Sequence, residues 1–221
     1  MTLQDLFRPS SSTPIEPAAP VIPVIVLDDA RHAVPLAQAC VAGGVRVLEV
    51  TLRTPAGLDA IRRIASEVPD AWVGAGTVTS VADVGRVAAV GARFAVSPGF
   101  DRSVAAAARD LGLPLMPGVM TPSETMAAIA EGLSLLKFFP AAAAGGIRML
   151  EALAGPFPGV WFCPTGGVDA RSAAEYLALD NVLAVGGSWL TPASAIARED
   201  WAAVTTLARA AASLRTARVA A

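Results

Sequence analysis

The chain has 221 residues, a formal net charge of -2 and a pI near 5.4, with 54% hydrophobic and 16% charged residues. That length buries a sizeable core, and that composition excludes global disorder. The slightly acidic balance, with no basic block, argues against nucleic acid as a partner, and two cysteines without a CxxC pair exclude a disulfide framework or a cysteine metal cluster.

Residues 1–20 read as an N-terminal extension: a short amphipathic piece, MTLQDLF, then a Pro/Ser-rich linker, RPSSSTPIEPAAP. They lack the basic region and long apolar stretch of a signal peptide, and no apolar run in the chain approaches a membrane span, so a cytoplasmic protein is expected. Residues 21–221 are expected to form one domain. Eight short apolar runs follow: 21–27, 47–52, 72–76, 94–98, 113–119, 135–140, 160–167 and 182–188. Between them, segments 31–44, 55–68, 80–91, 101–112, 121–132, 146–155 and 170–179 carry apolar residues at three- and four-residue spacing. Many open on Asp, Ser or Thr and close on Gly, as helix caps require. A last helix is expected from about Glu199. Each helix supplies a crossover, so the strands are parallel. Eight even repeats predict an α/β fold, a (β/α)8 TIM barrel. An open doubly wound sheet is the alternative, but no GxGxxG follows the first strand.

In a barrel the chemistry lies at the C-terminal ends of the strands. In the second strand, alternation puts Glu49, Thr51 and Arg53 on one face and Leu48, Val50 and Leu52 on the other. The apolar face suits the helix layer, so Glu49 and Arg53 point into the barrel or its mouth. The bland reading of these two is a structural ion pair. The sixth strand holds Lys137, the only lysine in the chain, flanked by two leucines and two phenylalanines. Every other Lys/Arg position is arginine. Desolvation by such neighbours, helped by a nearby guanidinium, favours the neutral amine that a Schiff-base nucleophile needs, and arginine cannot supply one. Two glycine turns, Thr165-Gly166-Gly167 and Gly186-Gly187-Ser188, close strands seven and eight, where barrels commonly bind phosphate. The single histidine, His32, opens a helix beside Arg31 and reads as a helix-terminus residue rather than a catalytic base. Cys40 and Cys163 read as packed thiols. A buried amine, a carboxylate, an arginine and a phosphate site fit imine chemistry on a phosphorylated 2-keto acid.

The strings GGVRVLEVTLRTP, VGAGTV, FAVSPGF, MPGVMTPSE, LKFFPA, GPFPGVWFCPTGGV and GGSWL resemble the 2-keto-3-deoxy-6-phosphogluconate (KDPG) and 2-keto-4-hydroxyglutarate (KHG) aldolase family, over roughly residues 17–207. The resemblance implies a class I aldolase that cleaves KDPG to pyruvate and glyceraldehyde 3-phosphate, with no metal or cofactor, as a homotrimer. It also implies an ability to split 4-hydroxy-2-oxoglutarate. By that resemblance Lys137 forms the imine and Glu49 shuttles protons. Arg53 and Thr77 hold the pyruvate carboxylate, and Pro98 and Phe139 wall the pocket. Thr165 meets the substrate hydroxyls, while Gly166, Gly167, Gly187 and Ser188 surround the phosphate. The loop Ala141–Ala144 departs from relatives, which often carry an acidic residue there. The competing readings are an aldolase for the galactonate epimer, a metal-dependent barrel aldolase, a phosphosugar isomerase or epimerase, and a catalytically dead barrel that binds a phosphorylated acid as a regulator.

Overall fold

The structure, a computed structural model, describes residue 7 and residues 18–214. Most of the expected extension (1–20) and the last seven residues of the expected domain lie outside the described residues. Strand β1 (Val21–Ile25) begins where regular structure was expected. It is followed by α1 (Ala33–Ala42), β2 (Val47–Thr51), α2 (Gly57–Glu67), β3 (Trp72–Gly76), α3 (Val81–Ala89), β4 (Ala95–Val96) and α4 (Arg102–Asp110). The fifth strand comes in two pieces, β5 (Leu115–Met116) and β6 (Gly118–Val119), because Pro117 between them has no N–H for the ladder. Then come α5 (Pro122–Ala130), β7 (Leu135–Phe138), α6 (Gly146–Ala154), β8 (Trp161–Pro164), α7 (Ala173–Leu177), β9 (Val185–Gly187), α8 (Ala193–Ala197) and α9 (Trp201–Ala212).

All pairings are parallel. One sheet runs β5-β4-β3-β2-β1-β9 and the other β6-β7-β8. Bridges Phe162↔Val182 and Thr165↔Gly186 join β8 to the last strand, and Pro117 joins β5 to β6. The ring closes as the expected (β/α)8 barrel. Several caps are those the sequence announces. Ser80, Asp101 and Asp200 accept from backbone N–H groups of α3, α4 and α9, and Thr121 with Glu124 makes a capping box on α5. Three elements differ from expectation. A 3-10 turn (Ala30–His32) precedes α1, α7 is shorter than its apolar pattern, and the short α8 had no strong periodic signal. Among the described residues no helix is long and apolar enough to cross a membrane.

The core has two shells. Leu48, Val50, Leu136, Phe138 and Phe162 face the helices. Ile22, Val47, Phe94, Val96, Met116, Leu135, Trp161 and Cys163 fill the barrel, and Phe7 joins this inner cluster. Along each central strand the inward positions change from apolar to polar toward the C-terminal end. In β2 the order is Val47, Glu49, Thr51; in β7 it is Leu135, Lys137; in β8 it is Trp161, Cys163, followed by Thr165. Apolar layers plug one end, so the polar groups collect at the other.

Candidate active site

Glu49 and Lys137, 88 residues apart in sequence, meet inside the barrel with Lys137 Nζ donating to Glu49 Oε1 at 3.1 Å. Their side chains are 1% and 4% exposed. Coulomb attraction at that distance is about 5 kcal/mol with an effective dielectric near 20. Desolvating each ion costs several kcal/mol, so attraction and penalty are of the same order. The pair therefore adds little net stability, which weakens the purely structural reading of Glu49. The Leu136 and Phe138 side chains expected to dry the lysine face the helices instead. Leu135 and Phe139 share its face, and Nζ stands 5.4 Å from the Phe139 ring centroid. The charged group in contact with Lys137 is a carboxylate, whereas the sequence suggested a guanidinium. Arg53 instead turns to the rim and donates from Nε to Thr77 Oγ1 at 3.2 Å.

Two close approaches hold this arrangement. A Cβ on Gly76 would sit 2.2 Å from Glu49 Oε1, so the carboxylate occupies the space that the glycine leaves. A Cβ on Gly186 would lie 2.2 Å from Thr165 Oγ1. Thr77 has φ +61, an uncommon conformation for a β-branched residue, at the turn where its hydroxyl meets Arg53. Gly166 and Gly167 have φ +94 and +77, which the turn after β8 requires and which glycine adopts freely.

Above the ion pair a cavity of about 290 Å³ opens at the C-terminal face. Arg53, Phe139, Thr165, Gly166, Gly167, Gly187 and Ser188, all expected site residues, line it. Thr165 is buried, pairs with Gly186 and donates from Oγ1 to the Cys163 carbonyl at 3.3 Å. Thr77 stands beside Arg53 at the rim. Pro98 is exposed after β4 and does not line this cavity. Helices α7 and α8 begin at Ala173 and Ala193, beyond both glycine turns, so the turn backbone is the nearer source of anion-binding N–H groups. Val24, Val26 and Val168 complete the lining. Sequence reading missed Val24 and Val26 because both faces of VIPVIVL are apolar, although alternation from inward-facing Ile22 was an available signal, and it stopped at the glycine turn one residue before Val168. Two larger clefts, about 400 and 420 Å³, open where strands begin, around Leu113 and Leu133 or Trp72 and Arg93. They lie at the end of the barrel opposite Lys137.

Cys163, the register partner of Lys137, has its thiol pushed up to about 12, chiefly by burial. Cys40 is pushed up to about 12 by the same cause, so both cysteines are inert packed thiols as expected. His32 is the last residue of the 3-10 turn, with its ring 3.3 Å from Glu199 and 5.9 Å from the Trp201 ring, tied to the α8–α9 connection. Among the described residues no three His, Cys, Asp or Glu side chains converge as a metal-binding group.

The family model for "KDPG and KHG aldolase" matches residues 15–207. A 2-dehydro-3-deoxy-phosphogluconate aldolase of Dickeya dadantii is 53% identical over 90% of this chain and 94% of its own. The KHG/KDPG aldolase of Escherichia coli K12 is 52% identical over the same shares. The structure is also similar to the KDPG aldolase of Legionella pneumophila, solved with pyruvate captured at low pH as a covalent carbinolamine intermediate. The TM-score is 0.88, with 47% identity over 94% of this chain and 97% of that one.

Proposed function

The chain belongs to the KDPG and KHG aldolase family, and from that premise we propose that it is a class I aldolase cleaving KDPG to pyruvate and glyceraldehyde 3-phosphate through an imine on Lys137. The observation that carries the reading is the buried lysine–carboxylate pair under an open cavity. In this reading Glu49 takes a proton from Nζ, and the free amine adds to C2 of the keto acid. Glu49 gives that proton to the C2 hydroxyl of the carbinolamine, which leaves as water, so that a protonated imine and a free Glu49 carboxylate remain. Breaking C3–C4 sends its electron pair into the imine as an enamine, while the proton of the 4-hydroxyl passes to Glu49. The aldehyde leaves, Glu49 returns the proton to C3, and water releases pyruvate from Lys137. General acid–base help of this kind is worth roughly 10²–10⁴-fold.

Arg53, paired with Thr77, is suited to hold the pyruvate carboxylate by a charge-assisted contact. Phe139 gives the imine an apolar wall. Thr165 is suited to the substrate hydroxyls, which favours the gluconate over the galactonate epimer. Gly166, Gly167, Gly187 and Ser188 receive the phosphate at the mouth. The pyruvate half is common to 4-hydroxy-2-oxoglutarate, so the same imine serves that substrate; the Escherichia coli relative carries both names. The reading places the enzyme in the cytoplasm as a homotrimer that needs no metal. Borohydride with pyruvate tests it: irreversible inactivation with the adduct on Lys137 is expected. Survival of activity would refute the imine, as would activity lost on chelation and restored by a divalent ion.

A further inference from the structure

Thr51 ends strand β2 on the inward face, two residues beyond Glu49, and is fully buried. Its hydroxyl has no hydrogen-bond partner among the described residues. Thr191, in the loop before α8, is the other buried threonine whose hydroxyl is unpaired among the described residues. Thr125 and Thr205 are satisfied, Thr125 donating to the Thr121 carbonyl at 3.0 Å and Thr205 to the Trp201 carbonyl at 3.0 Å. An orphaned buried hydroxyl is costly, and it calls for a partner that arrives in another state of the site. With no exposed surface on Thr51, a ligand in the open cavity does not reach it. A neighbouring side chain that moves does.

Glu49 is that neighbour. Gly76 is the register partner of Thr51 on β3, and the Glu49 carboxylate sits in the space a Gly76 side chain would take. The carboxylate therefore already stands at the level of Thr51, about one strand spacing away. It is held there by Lys137 Nζ. An ammonium offers three N–H donors; a protonated imine offers one, fixed in the plane of the C=N bond. Once Lys137 is bonded to carbon, Glu49 must turn from the nitrogen toward C3, and it loses its present partner.

We propose that Thr51 is a positioning residue whose hydroxyl takes up the Glu49 carboxylate in the imine and enamine states, aiming it at C3. The inference rests on the aldolase reading above. The half-reaction that isolates it is exchange of the pyruvate methyl protons in D₂O. A C3 proton passes to Glu49 and the C–H electron pair enters the imine as an enamine. The carboxyl proton exchanges with solvent, and a deuteron returns to C3.

The test compares the parent with Thr51→Val and Thr51→Ser. In Thr51→Val, methyl exchange is expected to slow about tenfold, the scale of one lost hydrogen bond. Borohydride trapping of pyruvate stays at the parent level, and the thermal midpoint is unchanged or raised because an unpaired hydroxyl is gone. Thr51→Ser restores exchange to within about threefold of the parent. Exchange in Thr51→Val within twofold of the parent overturns the proposal, and so does a serine variant as slow as valine. Trapping lost in parallel with exchange in Thr51→Val also overturns it. A parent protein that pyruvate and borohydride fail to label removes the aldolase reading itself, and this inference with it.

Discussion

Gly76→Ala adds one methyl group to the barrel wall, and its effect follows from three distances. The new Cβ would lie 2.2 Å from Glu49 Oε1, 2.7 Å from Cγ and 2.8 Å from Cδ. Ordinary contact needs about 3.4 Å, so the carboxylate must retreat by about 1.2 Å. The obstacle is the end of a flexible side chain, so the fold adapts at small cost. The Glu49–Lys137 separation of 3.1 Å then stretches to at most about 4.3 Å, and at an effective dielectric near 20 the attraction falls from about 5 to no less than about 4 kcal/mol. The larger loss is alignment: a displacement near 1 Å can cost about 100-fold in a proton-transfer geometry. Pyruvate release from KDPG, followed by a coupled dehydrogenase, is expected to show kcat down about 100-fold. The thermal midpoint should move by only a few degrees. A Gly76→Ala protein with kcat within twofold of the parent would remove the claim that this glycine sets the carboxylate.

Gly85→Ala is the matched control, since its Cβ meets nothing within 4 Å in α3; activity stays constant and stability rises by up to ~1 kcal/mol in denaturant titrations. Lys137→Met should abolish turnover and leave Glu49 buried without its partner, costing about 3–5 kcal/mol in the same titrations, most of it recovered in Lys137→Met/Glu49→Gln. Equal stability of the single and double variants would show that the pair is not desolvated as described. Neither thiol should react with a disulfide reagent at pH 8 until the protein is unfolded, because burial pushes both Cys40 and Cys163 up to about 12. The unfolded chain ionises these thiols near 9 and the folded core does not. Their stabilising contribution is therefore full below pH 9 and is lost as pH rises from 9 toward 12. Replacing both by alanine should flatten that fall in thermal midpoint, and an unchanged slope would assign it to other groups.

Much of this molecule is legible before folding. The eight-fold alternation of apolar runs and capped helices follows from period 2 and period 3.6, which are local properties of the backbone, so the barrel and its parallel sense can be read from the chain. The inward face of β2 is likewise readable, because Glu49, Thr51 and Arg53 alternate with Leu48, Val50 and Leu52. Lys137 stands out by composition alone, as the one lysine where arginine is otherwise used.

Contacts between strands were not legible, because they depend on register around a closed ring. Only the folded barrel decided that Lys137 meets Glu49 rather than a guanidinium, and that Arg53 turns to Thr77. The leucine and phenylalanine adjacent to the lysine in sequence were shown to dry the other face of β7. Val24 and the adjoining Val26 carry no polarity signal, so alternation from Ile22 could give their face but only the closure of β1 against β9 placed them in the cavity wall. Gly76 reads in sequence as one more strand-end glycine. In three dimensions it is the gap that admits a carboxylate, because the side chain that would clash arrives from the neighbouring strand.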